Sequence, residues 1–178
     1  MKRSYWSVAL LFAVGASTQL GAQAKSVNGV NGVSDVSSEF NTARGQTIVE
    51  MGKKPLDPNT RLGAFYSFPG HIQQAPVPEL TLQLVRSAPT WAYAYDHSVM
   101  LVLDEKTRIP MTRAQRAASV GEGYTLEQIF IAVSREQAAQ IAQARKVEMK
   151  VGSDAFVWSD SLQNAFREMV TSADAGAK

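Results

Sequence analysis

The sequence predicts an α+β fold: a mainly antiparallel β-sheet with two amphipathic helices near the carboxy terminus packed on it. Three observations carry that expectation. Runs of period-two alternation recur from residue 46 to residue 158. Two capped stretches with helical periodicity follow late in the chain. The order of strands first, then helix, hairpin and helix is that of an α+β domain. A β-sandwich with two peripheral helices is the alternative that the same order allows.

The chain opens with a positive Met1-Lys2-Arg3, an apolar stretch Val8–Ala16 and small residues at Ala22 and Ala24. That order of charge, short apolar core and A-x-A site is a cleavable export signal over residues 1–24. The apolar stretch is shorter than the roughly 20 residues that span a bilayer. The expectation is therefore an exported bacterial protein in the periplasm or the medium, with no membrane insertion after cleavage. The cysteine-free sequence carries no lipoprotein anchor, no disulfide, no thiol chemistry and no thiolate metal site.

The signal also alters the charge balance. The chain has 18 Lys and Arg against 16 Asp and Glu. Lys2 and Arg3 are two of the 18 and the first 24 residues hold no acid, so the remainder carries 16 of each sign. A neutral chain lacks the concentrated basic face that nucleic acid requires.

Residues 25–44 repeat Asn-Gly pairs between single valines and read as a flexible leader. Gln46–Met51 is rich in β-branched residues and reads as a strand. Pro55, Pro58 and Asn59 mark a loop, Leu62–Phe68 a second strand, and Pro69-Gly70 its end. Pro76 and Pro78 then separate residues 45–78, open to being a loosely packed arm, from the body of a single domain over 45–172. Leu80, Leu82 and Leu84 alternate with polar residues in a half-buried strand. Trp91, Tyr93 and Tyr95 alternate with alanines in another. Ser98–Leu103 is apolar and central, and Thr107–Met111 returns antiparallel to it, with Pro110 requiring an edge.

Thr112 and Gln115 match a capping box for one helical turn, ended by Gly121 and Gly123. Tyr124–Val133 is the longest strand candidate. Ser134 and Gln137 form a second capping box, opening a helix to about Arg145 with a small stripe of Ala138, Ile141 and Ala142. Lys146–Val151 alternates, Gly152–Asp154 turns, and Ala155–Trp158 is a short strand. Asp160 is placed to cap the last helix, whose stripe is Leu162, Ala165, Phe166, Met169 and Val170. Residues 173–178 read as a disordered tail.

The chemistry is sparse. No G-x-S-x-G elbow, P-loop or G-x-G-x-x-G is present, so no cofactor is implied. Trp91, Tyr93 and Tyr95 are candidates for a binding platform, although at least two of these rings are expected in the core. Arg108, Arg113 and Arg116 are candidates for meeting an anionic ligand or an acidic surface, or a solvated group offset by Asp104, Glu105 and Glu122. Asp96 and His97, with His71, are the only fragment of a metal site. Glu127–Ser134, Ala144–Glu148 and Val151-Gly152 resemble segments of exported bacterial proteins of no assigned activity, and that likeness carries no catalytic residue over. The function expected is a non-catalytic binding or accessory domain for an unknown protein or envelope component. The alternative is a small metal-assisted hydrolase using Asp96 and His97.

Overall fold

A computed structural model describes residues 34–175. Ten strands and two helices follow in the order β1 (Val36–Asn41), β2 (Gln46–Pro55), β3 (Thr60–Pro69), β4 (Glu79–Ala88), β5 (Val99–Leu103), β6 (Thr107–Met111), β7 (Ala114–Gly121), β8 (Tyr124–Ser134), α1 (Arg135–Gln143), β9 (Val147–Val151), β10 (Asp154–Val157) and α2 (Asp160–Asp174). The α+β expectation holds, with the strands divided between two antiparallel sheets. One has six strands in the order β1-β2-β3-β4-β8-β7, the other four in the order β10-β9-β5-β6.

The six-stranded sheet is built on the alternation the sequence displays. Leu80, Leu82 and Leu84 of β4 stand opposite Val133, Ile131 and Ile129 of β8, and all six are buried. In the four-stranded sheet Val99, Leu101 and Leu103 of β5 oppose Val151, Met149 and Val147 of β9. These inward faces and both helices share one continuous apolar cluster. Burying it drives the fold at about 25 cal/mol per Å². Trp158 and Phe166 meet edge to face within it, their centroids 5.4 Å apart.

The helices follow their caps. At α1 the Ser134 hydroxyl accepts from Gln137 N, and the Gln137 side chain accepts from Ser134 N, so both halves of the predicted box are present. At α2 the cap is Ser159, one residue before the Asp160 expected, because its hydroxyl reaches Leu162 N. Leu162, Ala165, Phe166 and Met169 are buried as predicted, while Val170 is half-buried. Pro110 lies on β6, an edge strand, where a missing N–H costs no ladder bond.

Five expectations need correction. The leader does not extend to residue 44, because Val36–Asn41 pairs along its length with Gln46–Met51. Residues 45–78 are no loose arm: β2 and β3 are interior strands of the larger sheet, with Met51, Leu62, Ala64 and Tyr66 in its core. The helical turn expected after Thr112 is the strand β7. Its backbone groups pair with β8 in unbroken register from Ala114–Ile131 to Gly121–Tyr124, which local capping cannot match. The strand expected at Trp91–Tyr95 is a loop, for a reason given below. At the other end, α2 continues through Ala173 and Asp174. The export signal at 1–24, the leader at 25–33 and the tail beyond residue 175 lie outside the described residues. Among the described residues no helix is long and apolar enough to cross a membrane.

Candidate functional site

The chain passes from the larger sheet to the smaller through residues 89–98, between β4 and β5. The sequence alternates there as a strand would, yet the segment runs as a series of bends. The cause is a single carboxylate. Glu127 lies on β8 in phase with Thr125, Ile129, Ile131 and Val133, so its side chain points into the core and is fully buried. Its two oxygens collect donors from three elements. Ala92 N donates to Oε2 at 2.8 Å and Tyr93 N to Oε1 at 3.0 Å. Arg116 of β7 reaches Oε1 through Nη2 at 2.9 Å and Nε at 3.3 Å. Arg86 of β4, directly opposite Glu127, lies 3.4 Å from Oε2. The backbone donors that a strand would give to a neighbour are thus given to a side chain, and the loop is fixed in a non-strand path.

The electrostatics follow from this donor set. Burial by itself would raise the Glu127 carboxyl. The backbone N–H groups of Ala92 and Tyr93 and the Arg116 guanidinium outweigh it and hold the group below its ordinary value. Glu127 is therefore ionised at neutral pH, with both oxygens occupied. It has neither the free lone pair nor the access to solvent that a general base needs, and its role is to anchor. Arg86 extends the clamp by donating to Thr90 O at 2.6 Å.

The far side of the loop is tied to the smaller sheet. The Tyr93 ring is buried and its hydroxyl donates to Asp154 of β10 at 3.0 Å. Burial first, and then this bond to Asp154, push the Tyr93 phenol well above its ordinary value. Gly152, at φ +54, donates its N–H to Ser98 O at 3.0 Å and passes so close to the loop that a Cβ would lie 2.8 Å from Asp96 O. Glycine is required there both by the positive φ and by that approach.

On this frame the loop presents two rings outward. Trp91 is 42 % exposed and Tyr95 is fully exposed. The Arg116 guanidinium sits 5.0 Å from the Trp91 ring centroid, a cation–π contact that orients the indole. The expectation that at least two of the three rings are core is overturned, since only Tyr93 is buried. A bend chain does not alternate faces, so the Trp-Ala-Tyr-Ala-Tyr spacing carries no two-sided meaning here.

The other candidates separate. Arg113 pairs with Glu79, Arg116 with Glu127, and Arg108 stands exposed on β6 without an ion-pair partner among the described residues. Two of the three charges are thus already met by acids of the chain. Asp104 instead accepts from the N–H groups of Arg145 and Lys146, and Glu105 pairs with Lys146 at 2.7 Å. His71 is exposed and stacks on Phe40 at 3.6 Å. Asp96 Oδ1 accepts from Ser98 N at 2.9 Å, and these Ser98 bonds keep its carboxyl below the ordinary range. His97 lies beside it in a shallow cleft of about 440 Å³, together with Tyr95, Thr112 and Met111. His71, Asp96 and His97 do not converge: among the described residues no three His, Asp or Glu side chains are grouped as a metal requires.

The residues that shape this site, Glu127 and Arg86, were not candidates from the sequence. A signal was present. Leu80, Leu82, Leu84 and Arg86 share one phase, as do Thr125, Glu127, Ile129 and Ile131. A charge of each sign therefore stands on an apolar face, and buried charges are found paired. Comparison with protein-family models, with curated proteins and with solved structures finds no match to this chain.

Proposed function

We propose that the chain is an exported, non-catalytic binding domain whose partner, a protein or other envelope component, is met by the loop 89–98 through Trp91 and Tyr95. The observation that supports this most is the combination of exposed rings with a rigid mount. Ordering a loop costs entropy, and a loop ordered in advance spares that cost on binding. Here the ordering comes from Glu127, Arg86, Tyr93 and Asp154 beneath the loop, while Trp91 and Tyr95 add little to the core. Large amphipathic rings with few rotatable bonds are the residues that most often dominate interface energies. Export rests on the amino-terminal sequence, and amino-terminal sequencing of the secreted or periplasmic form should begin at Lys25. The hydrolase alternative lacks a third ligand beside Asp96 and His97 among the described residues.

The test is a pair of substitutions, Trp91→Ala and Tyr95→Ala, with capture from envelope extract as the readout. Tyr95→Ala should move the thermal midpoint by no more than a couple of degrees, since a fully exposed side chain contributes within about 0.5 kcal/mol. Together they should weaken capture at least tenfold, the size expected for losing a central ring. Capture unchanged by both substitutions would remove this loop as the binding surface.

A further inference from the structure

Among the described residues the two sheets present four edges, and three are guarded. β10 has only four residues. β6 has five and carries Pro110. β1 has six and carries the exposed acid Glu39 at its middle, where a two-fold pairing would bring the two copies' acids close together. Short length, proline and charge are the usual means by which an edge is kept from pairing with another chain.

The fourth edge, β7, has none of these. It is eight residues long, Ala-Gln-Arg-Ala-Ala-Ser-Val-Gly, and pairs without a bulge along β8. Among the described residues β8 is its only sheet neighbour, so the N–H and C=O groups on its other side face outward. Its one charge, Arg116, is turned inward, neutralised by Glu127 and covered by Trp91. Gln115, Ala117 and Ser119 lie on one face, Ala118 and the largely exposed Val120 on the other.

We propose that β7 pairs antiparallel with β7 of a second copy of this chain, joining two six-stranded sheets into one across a two-fold axis. Charge and symmetry favour that occupant. Antiparallel pairing about a two-fold axis sets residue i against residue j and j against i, so only residues at mid-strand lie beside their own counterparts. The middle of β7, Ala117 and Ala118, is small and uncharged, whereas Glu39 of β1 and Arg108 of β6 lie at or within one residue of their strands' centres. The small side chains of Ala117, Ala118 and Ser119 let the strands approach to the 4.7–4.9 Å of a ladder, roughly the spacing in any sheet. The surface is distinct from the loop 89–98, although Arg116 links the two.

Light scattering on the purified protein, in a dilution series reaching about 1 mM, tests the proposal, because an edge contact is smaller than a standard interface and is expected to be weak. The mass should rise from one chain towards two. Ala117→Lys and Ala117→Glu place charge at an exposed mid-strand position, so each variant should fold as the parent does by circular dichroism yet stay a single chain. Mixing the two should restore the double mass, since opposite charges then meet across the axis. A parent that stays one chain throughout overturns the proposal and leaves β7 bare, covered by the chain's own leader or reserved for a foreign strand. A dimer that survives Ala117→Lys also overturns it, by placing the contact elsewhere.

Discussion

Glu127 holds three elements at one point, and its removal has a calculable consequence. Truncation to alanine leaves two guanidiniums and two backbone N–H groups without their acceptor. Breaking a buried pair typically costs 3–5 kcal/mol, and because both arginines reach some water the lower end applies, about 3 kcal/mol by urea unfolding. The same residue sets a pH signature. Its folded carboxyl lies below the ordinary 4.5, so the stability it contributes is complete above that pH and is lost as pH falls through the lower folded value. Glu127→Gln cannot titrate. The stability difference between parent and Glu127→Gln should stay constant from neutrality down to about pH 4.5 and shrink below it. A difference that grows on acidification would mean that the folded carboxyl is raised instead.

At the scale of elements, legibility followed the balance between local and distant forces. Strands whose alternation is reinforced by a partner of the same phase, such as Leu80–Leu84 against Ile129–Val133, could be read directly. So could α1, because its capping box is a local device confined to Ser134–Gln137. The failures share one cause. In β7 a weak local signal for a helical turn, Thr112 with Gln115, lost to eight consecutive cross-strand pairs supplied by residues 124–131. At Trp91–Tyr95 a clear local alternation lost to one carboxylate 34 and 35 residues away. In β1 the valine and serines of Val36–Asn41 carry almost no pattern, and the strand exists because β2 offers an edge. Glu127 itself was legible by phase, but only to a reading that follows parity through a charged residue instead of assigning it to solvent.

The whole molecule raises the question of whether two sheets behave as one body. They are joined covalently at three crossings, the loop 89–98, residues 112–113 between β6 and β7, and the α1 connection between β8 and β9, and physically by three further ties. The apolar cluster runs through both sheets and both helices. Tyr93, carried on a loop anchored to β8, reaches Asp154 on β10. Ser98 and Gly152 meet backbone to backbone. A chain of this size with one shared core is expected to unfold in a single cooperative step. Two tryptophans report on it from different places, Trp158 beside Phe166 in the core and Trp91 on the loop over Arg116. With each left as the only tryptophan of the described residues by a Phe substitution at the other, urea unfolding followed by fluorescence should give superimposable transitions, matching the loss of secondary structure by circular dichroism. If the Trp91 signal moved first, the loop would melt before the core, and the mount beneath Trp91 and Tyr95 would be too weak to preorganise them. Coincidence ties the rigidity of the loop to the stability of the entire fold, so that Glu127→Ala should lower both midpoints together.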